Sequence, residues 1–318
     1  MSLQFKPATK EQSKLRLALV GPSGSGKTWT ALLLAKELGQ KVAVIDTEHG
    51  SASKYADDFS FDVLQLTSYS PERYSEAIKA AASAGYDVLV IDSMSHAWQG
   101  KDGALELVDR ASSRAGENSF TAWRHVTPLH NQLVEDILAS PLHIIGTMRT
   151  KTEWIVEKDE RGRSVPRKIG LAPIQRQGIE FEFDITGDLD VDHTLVISKT
   201  RCAALDGAVI RKPGKDMAET LKLWLTSGAP VEYANEAQVD RIAELVAAAA
   251  DNDTAKAEAL VAKVKAEYGV DAIGRLRASQ ADEAISRLHD VIEKQLARQV
   301  DQAANALQTE LGANEVAA

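Results

Sequence analysis

The residues with the most specific chemistry are eight consecutive ones near the beginning of the chain: Gly21, Pro22, Ser23, Gly24, Ser25, Gly26, Lys27 and Thr28. They match the pattern G-x-x-x-x-G-K-[ST] and stand between an apolar run, residues 15–20, and a helix-forming run, residues 29–38. In such a phosphate loop the glycines let backbone N–H groups wrap a phosphate, and the following helix adds positive potential. Lys27 supplies a cation for the β- and γ-phosphates, and the Thr28 hydroxyl suits Mg²⁺. The loop predicts a nucleoside triphosphate site.

Two predicted strands after this loop end in carboxylates. Asp92 ends the apolar run 87–92, where an acid can hold Mg²⁺ directly or through water. Asp46 and Glu48 follow the run 41–46, and either carboxylate can orient and deprotonate a water for in-line attack on the γ-phosphate. Glu48 stands past the strand end and has the longer reach. The alternative for Glu48 is an exposed loop acid without a catalytic role.

Two cations, Lys199 and Arg201, stand two residues apart at the end of another predicted strand. Side chains at this spacing emerge on one face of a strand. Such a pair can stabilise γ-phosphate charge in its own subunit or in a neighbour's, and a surface salt bridge is the alternative.

The segment 151–176 is basic within an acidic protein. Its seven cations and four acids give it a charge of +3, whereas the whole chain has −9. Trp154 offers a ring on which a base can stack, so the segment suits single-stranded nucleic acid. The alternative is a solvated hairpin whose charges pair among themselves. The predicted contacts are Arg149, Lys151, Trp154, Arg161, Arg163, Arg167, Lys168 and Arg176. A second candidate loop, residues 99–118, has more acids than bases.

Strands and helices alternate over the first two thirds of the chain, which predicts an α/β fold with a mainly parallel sheet. The predicted strands are residues 15–20, 41–46, 62–66, 87–92 and 143–147. Residues 153–156 and 164–169 follow on either side of a charged turn and are predicted to form an exposed hairpin or a flexible loop, and further strands are predicted at 180–186 and 193–198. The predicted helices are residues 27–38, 71–84, 121–139 and 219–225.

The composition shifts to Ala, Glu, Lys, Asp and Gln after the turn Ser227-Gly228-Ala229-Pro230. Regular apolar spacing then predicts a small C-terminal α-helical domain of three or four helices. The predicted organisation is an N-terminal arm (1–14), an ATPase domain (15–228), a linker (229–235), a helical domain (236–312) and a frayed tail (313–318).

The composition argues against a membrane-spanning protein and against an internal disulfide. Hydrophobic residues make up 44% of the 318, no apolar run is long enough to cross a bilayer, and the single cysteine, Cys202, cannot form an internal disulfide. These features predict a cytoplasmic protein without membrane partners. His125 and His130 lie five residues apart, off a common helix face, so they do not predict a metal site.

The ordered segments GPSGSGKT, VIDTEHG, DVLVIDS and ISKTR resemble the ATPase core of RecA-type recombinases. The chain is more closely similar to phage ATP-binding proteins with a RecA-like core, some of which act in single-strand annealing. That closer resemblance includes SHAW (95–98), FTAW (120–123), RTK (149–151) and GLAPIQRQGIEFEF (170–183), and it covers roughly residues 3–226.

The resemblance implies ATP and Mg²⁺ as cofactors, with the phosphate cradle at residues 21–28. Glu48 would be the catalytic base, Asp92 the Mg²⁺-linked acid, and Lys199 and Arg201 the cations that reach ATP across a subunit interface. The implied partners are single-stranded DNA, further copies of the chain in a ring or filament, and a single-stranded-DNA-binding or other recombination protein. A phage-encoded protein of this kind would work in the cytoplasm of the bacterial host.

One departure from the RecA pattern affects function. RecA proteins have an Asn-Gln pair after the strand that corresponds to residues 143–147, whereas this chain has Gly146-Thr147-Met148-Arg149. Thr147 or Arg149 would then sense the nucleotide, which favours annealing or filament-assisted binding over strand exchange. Two alternatives remain at this point: a nucleotide-controlled binding module with little ATP turnover, and a P-loop small-molecule kinase.

Overall fold

The computed structural model describes residues 7–115, 119–158, 164–270 and 272–316. The chain forms two compact units, residues 1–229 and 230–318. The strands of the first unit are β1 (Arg16–Gly21), β2 (Val42–Asp46), β3 (Asp62–Gln65), β4 (Val88–Asp92), β5 (His143–Lys158), β6 (Ser164–Pro173), β7 (Ile185–Leu189), β8 (Thr194–Thr200) and β9 (Val209–Arg211). Its helices are α1 (Lys27–Leu38), α2 (Pro71–Ser83), α3 (Ser95–Gln99), α4 (Ala104–Ala115), α5 (Ser119–Ala139) and α6 (Lys215–Thr226).

Within the described residues, these strands form one sheet in the order β3-β2-β4-β5-β1-β7-β8-β9, with β6 paired to β5. The pairings from β3 to β7 are parallel, whereas β8, β9 and β6 pair with antiparallel neighbours. The predicted α/β fold with a mainly parallel sheet is confirmed. Because parallel strands end at the same edge, the carboxyl ends of β1, β2 and β4 bring the phosphate loop, Glu48 and Asp92 together.

The central strands are buried on both faces, which explains their nearly continuous apolar sequences. One face packs against α1 and α6 through residues such as Leu34 and Leu221. The other packs against α2 and α5 through residues such as Ile78 and Ile137. Two such layers hold the strand ends in fixed positions, so the side chains that follow them are positioned by the core.

Three predicted segments differ from the structure. Strand β5 extends beyond the predicted 143–147 through Lys158 and forms a long antiparallel hairpin with β6. The predicted loop 99–118 contains helix α4, whose apolar residues pack against α5. The predicted strand 180–186 is wrong in its first half, because Gly178 (φ 88°) introduces a 3₁₀ turn at Ile179–Phe181. The alternation of Glu and Phe in this segment resembles that of a strand, but of its two phenylalanines Phe183 is buried and Phe181 is exposed.

The second unit contains α7 (Glu236–Ala249), α8 (Thr254–Tyr268) and α9 (Ala278–Val316). Asn235 caps α7 in a reciprocal hydrogen-bonded pair with Gln238, and the Asp253 side chain caps α8. The apolar faces predicted from the sequence meet in one core, for example through Ile242, Val264 and Leu288. Leu296, which belongs to the predicted stripe, is instead exposed. Among the described residues, no helix has the length and apolar character needed to cross a membrane.

Acid should destabilise the first unit through His143, which precedes the buried part of β5. Its Nδ1 accepts a hydrogen bond from the Leu15 N–H at 3.1 Å, and burial, with Lys14 and Arg16 nearby, lowers its pKa to about 4. Because the folded pKa lies below the unfolded value, this stability is present above pH 6.5 and is lost as pH falls toward 4. When the pH is lowered from 7 to 5, the free energy of unfolding measured in urea should fall by about 2 kcal/mol more for the wild type than for His143→Asn.

The control for this prediction is His125→Asn, since His125 is an exposed histidine on α5. This variant should keep the acid sensitivity of the wild type. An equal loss of stability in wild type and His143→Asn would show that His143 does not cause it.

Candidate active site

The phosphate loop has the backbone shape that the sequence predicts. Gly24 and Gly26 have φ of 81° and 85°, a left-handed conformation that favours glycine, and Gly26 leads directly into α1. Gly21 also excludes a side chain, because a Cβ there would lie 2.4 Å from the Leu189 carbonyl oxygen. The Ser25 hydroxyl is buried and has no hydrogen-bond partner in the described part of the chain. This glycine-built cradle at a helix N-terminus fits a phosphate group.

Lys27 lies inside this cradle. Its Nζ donates a hydrogen bond to the Pro22 carbonyl oxygen at 2.7 Å, so the ammonium folds back over the loop. Burial lowers the pKa of Lys27; Asp92 and Glu48 oppose that effect, and Arg149 adds to it. A buried cation held this way favours an anionic ligand, because a nearby phosphate stabilises the charged form of Lys27.

Asp92 is the hydrogen-bonding centre of the site. Its two carboxylate oxygens accept from the hydroxyls of Thr28 and Thr147, each at 2.6 Å. Burial raises the pKa of Asp92, and these two hydrogen bonds oppose the change. A carboxylate beside the phosphate-loop hydroxyl is the oxygen donor set that Mg²⁺ prefers, so Thr28 and Asp92 fit the predicted metal.

Asp46 and Glu48 have different surroundings. The buried Asp46 carboxylate accepts from the backbone N–H groups of Glu48 (2.6 Å) and Ala52 (3.2 Å), so it fixes the loop after β2. Glu48 extends toward β5, where its Oε1 accepts from Nε and a terminal nitrogen of Arg149 at 2.9 and 2.8 Å. Of the two carboxylates, Glu48 therefore remains the candidate base.

Sequence reasoning missed a buried network behind these residues. The Thr47 hydroxyl lies 2.7 Å from Nδ1 of His96 and accepts from the Ser93 N–H at 2.8 Å. His96 stacks on Tyr69 with ring centroids 5.0 Å apart. Burial, followed by the charge of Arg149, lowers the pKa of His96. The network ties the loop that carries Glu48 to the segment after Asp92. Its only sequence signal is a histidine shortly after a strand end, at SHAW.

The predicted cation pair does not lie beside its own phosphate loop. Strand β8 is antiparallel to β7, and its end pairs with the beginning of β7 through Thr200 and Ile185. The phosphate loop instead lies at the opposite, carboxyl end of β7, near Leu189. Lys199 donates to the carbonyls of Phe181 and Phe183, and Arg201 forms a 2.7 Å ion pair with Asp184. The topology therefore excludes a role for the two cations at the phosphate loop of their own subunit.

The predicted nucleic-acid residues are divided between several places. Arg149 belongs to the candidate site through Glu48, and Lys151 is exposed on β5. Arg176 donates to the Asn131 side chain at 2.9 Å beside an open groove of about 400 Å³. Trp154, Arg167 and Lys168 lie on the backbone of the β5–β6 hairpin, with Trp154 and Lys168 in register. Arg161 and Arg163 lie outside the described residues.

The remaining sequence-based predictions concern metals and the cysteine. No cluster of three His, Cys, Asp or Glu residues that could hold a metal occurs in the described ranges. Cys202 is buried in the same hydrophobic cluster as the apolar residues of α6.

Comparison with known proteins agrees with this geometry. The AAA domain family matches residues 13–220, which hold the phosphate loop, Glu48, Asp92 and the cation pair. A comparison with curated protein sequences found no match. Because the family match covers more than half of the chain, the chain belongs to the AAA domain family and is a P-loop, nucleotide-binding ATPase of the AAA type.

Proposed function

We propose that this protein hydrolyses ATP, assembles into a ring or filament with ATP at its subunit interfaces, and binds single-stranded DNA in phage-type recombination or annealing. The observation that carries the proposal is the continuity of β5. One strand, His143–Lys158, bears Thr147 and Arg149 in the site and then becomes an arm of the basic hairpin. A change at the nucleotide can therefore reach the hairpin along a single continuous strand.

In the proposed reaction a water oxygen attacks the γ-phosphorus in line with the bond to the leaving oxygen. The new P–O bond forms, the bond between the γ-phosphorus and the β–γ bridging oxygen breaks, and ADP and phosphate result. Glu48 orients the water and accepts its proton. The phosphate-loop amides and Lys27 stabilise the charge that shifts onto ADP.

Mg²⁺, when bound, would neutralise negative charge on the phosphates. Thr28 and Asp92 would hold it, and Thr147 keeps the Asp92 carboxylate oriented through its own hydrogen bond. The Thr147 hydroxyl is thus a positioning group one strand away from the phosphate loop.

A second candidate function, a nucleotide-controlled binding module with little turnover, is favoured by one contact. The Glu48–Arg149 ion pair occupies the carboxylate that hydrolysis needs. If the pair persists with ATP bound, the nucleotide would order the protein without being consumed. Strand annealing that proceeds equally well with a non-hydrolysable ATP analogue would support this second function.

The proposed DNA role is tested by removing charge from the hairpin. A triple variant reduces the net charge of the segment 151–176 from +3 to zero and keeps strand-forming residues. Its substitutions are Lys151→Thr, Arg167→Thr and Lys168→Thr. If all three contact phosphates, the salt dependence of oligothymidine binding, log Kd against log salt, should flatten by about 2. DNA-stimulated ATP hydrolysis should fall with it.

The control triple variant, Lys54→Gln, Lys215→Gln and Lys222→Gln, removes the same charge from exposed positions elsewhere. It should keep the wild-type salt dependence. Equal DNA binding by both triple variants would contradict a DNA site on the hairpin, and an ATPase rate that DNA leaves unchanged would contradict the coupling.

A further inference from the structure

We propose that Arg149 alternates between two anionic partners, the Glu48 carboxylate and the γ-phosphate of a bound nucleotide, and so releases the catalytic base only when a triphosphate is present. The inference rests on the proposed hydrolytic function. It specifies how that site distinguishes ATP from ADP.

The first supporting observation is the geometry of the ion pair. Nε and a terminal nitrogen of Arg149 both donate to the same oxygen, Glu48 Oε1, at 2.9 and 2.8 Å. Charge-assisted contacts from two nitrogens are among the stronger side-chain hydrogen bonds. While this pair exists, Glu48 Oε1 is engaged by Arg149 and is not available to orient a water.

The second observation is the position of Arg149. Its Cα is the register partner of Gly21, the first residue of the phosphate loop, on the neighbouring parallel strand. Adjacent strands lie about 4.8 Å apart, so the guanidinium originates one strand from the phosphate cradle. Arg149 is therefore the cation on β5 that is closest in register to the loop.

The third observation concerns what can move. The Arg149 N–H donates to the Ser95 hydroxyl at 2.8 Å, and its carbonyl accepts from the Ile174 N–H at 2.7 Å. The backbone is held on both sides, whereas 42% of the side chain is exposed. An exchange of partners then requires only a rotamer change, with no shift of β5.

The charges make the exchange depend on the γ-phosphate. A guanidinium can bind a phosphate, like a carboxylate, through two parallel hydrogen bonds. The charge of Arg149 also contributes to lowering the pKa of Lys27, so the two cations repel each other, and a phosphate that contacts both relieves this repulsion. ADP lacks the γ-phosphate, so the ion pair between Arg149 and Glu48 persists when ADP is bound.

The experiment measures nucleotide affinity separately from hydrolysis. Titration calorimetry with Mg²⁺ compares ADP and a non-hydrolysable ATP analogue in wild type, Arg149→Ala, Glu48→Gln and the double variant. We expect Arg149→Ala to reduce the preference for the triphosphate about tenfold, because a charge-assisted phosphate contact is lost. Glu48→Gln should increase that preference, because a neutral amide holds the guanidinium less strongly. The double variant should match Arg149→Ala, since the two effects act through one pair.

Two further variants serve as an intermediate case and a control. Arg149→Lys retains the charge without the two-nitrogen contact and should lose an intermediate part of the preference. Arg73→Ala removes an exposed arginine from the Arg73–Glu76 pair on α2 and should match the wild type. An equal triphosphate preference in the wild type and in all variants would overturn the exchange, even if the wild type hydrolyses ATP. A wild type that binds ATP but does not hydrolyse it would instead overturn the proposed hydrolysis, while the affinities still decide the exchange.

Discussion

Replacing Glu48 by Gln should lower kcat for ATP hydrolysis by roughly 10²- to 10⁴-fold, the usual contribution of a positioned general base. The substitution keeps the shape of the side chain but removes its ability to accept a proton at neutral pH. The loop itself should keep its conformation, because Asp46 fixes it through the backbone N–H groups of Glu48 and Ala52. Steady-state phosphate release at saturating ATP measures the effect.

The affinity for ATP separates this prediction from a general loss of structure. Glu48→Gln should bind ATP at least as tightly as the wild type, whereas Lys27→Ala should lose binding together with hydrolysis. The two variants therefore fail for different reasons, one at the chemical step and one at the phosphate cradle. Undiminished hydrolysis in Glu48→Gln would assign the base to another residue, and undiminished hydrolysis in both would refute the active site as described.

The phosphate loop could be predicted from the sequence because its information is local. Its glycines, lysine and threonine are contiguous, and the flanking strand and helix are determined by nearby residues. The same holds for α1, whose predicted bounds of 27–38 match Lys27–Leu38. Short-range patterns of this kind need no knowledge of which strands are neighbours in the sheet.

The side-chain pairs of the site could not be predicted in the same way. Thr147 bonds to Asp92 across 55 residues of sequence, and Arg149 to Glu48 across 101. Both contacts depend on the strand order β2-β4-β5, which brings the ends of β2 and β4 beside Thr147 and Arg149 of β5. Without that order, Arg149 belongs with the basic residues that follow it in sequence.

Topology has the opposite effect on Lys199 and Arg201. From the sequence alone they can serve their own subunit or a neighbour's, or form a surface salt bridge. The antiparallel direction of β8 excludes the phosphate loop of their own subunit, and Arg201 does form a salt bridge with Asp184. If they act at the phosphate loop of a neighbour, replacing both by Ala should lower ATP hydrolysis by on the order of 10³-fold, the lower end of the range for cations that complete a phosphoryl-transfer site from another subunit. Nucleotide affinity should change far less than the rate.

A mixing experiment distinguishes this role from a structural one. Glu48→Gln subunits lack the base but keep the cations, and Lys199→Ala/Arg201→Ala subunits keep the base but lack the cations. At a shared interface, an equal mixture should regain activity at about a quarter of the interfaces, because each complete site needs one subunit of each kind in the correct order. Each variant alone should show no recovery of ATPase activity, whether it is diluted with buffer or mixed with more of the same variant.

The same pair also makes contacts within its own subunit, so folding has to be measured beside activity. Arg201 pairs with Asp184, and Lys199 donates to the carbonyls of Phe181 and Phe183. The Arg201–Asp184 pair is partly exposed and should contribute little to the stability of the subunit. A double variant that melts near the wild-type temperature, is inactive alone and stays inactive in the mixture would show that these cations do not reach a neighbouring site. A double variant that recovers in the mixture places the cations opposite the phosphate loop of the next subunit, where the γ-phosphate is the charge they would neutralise.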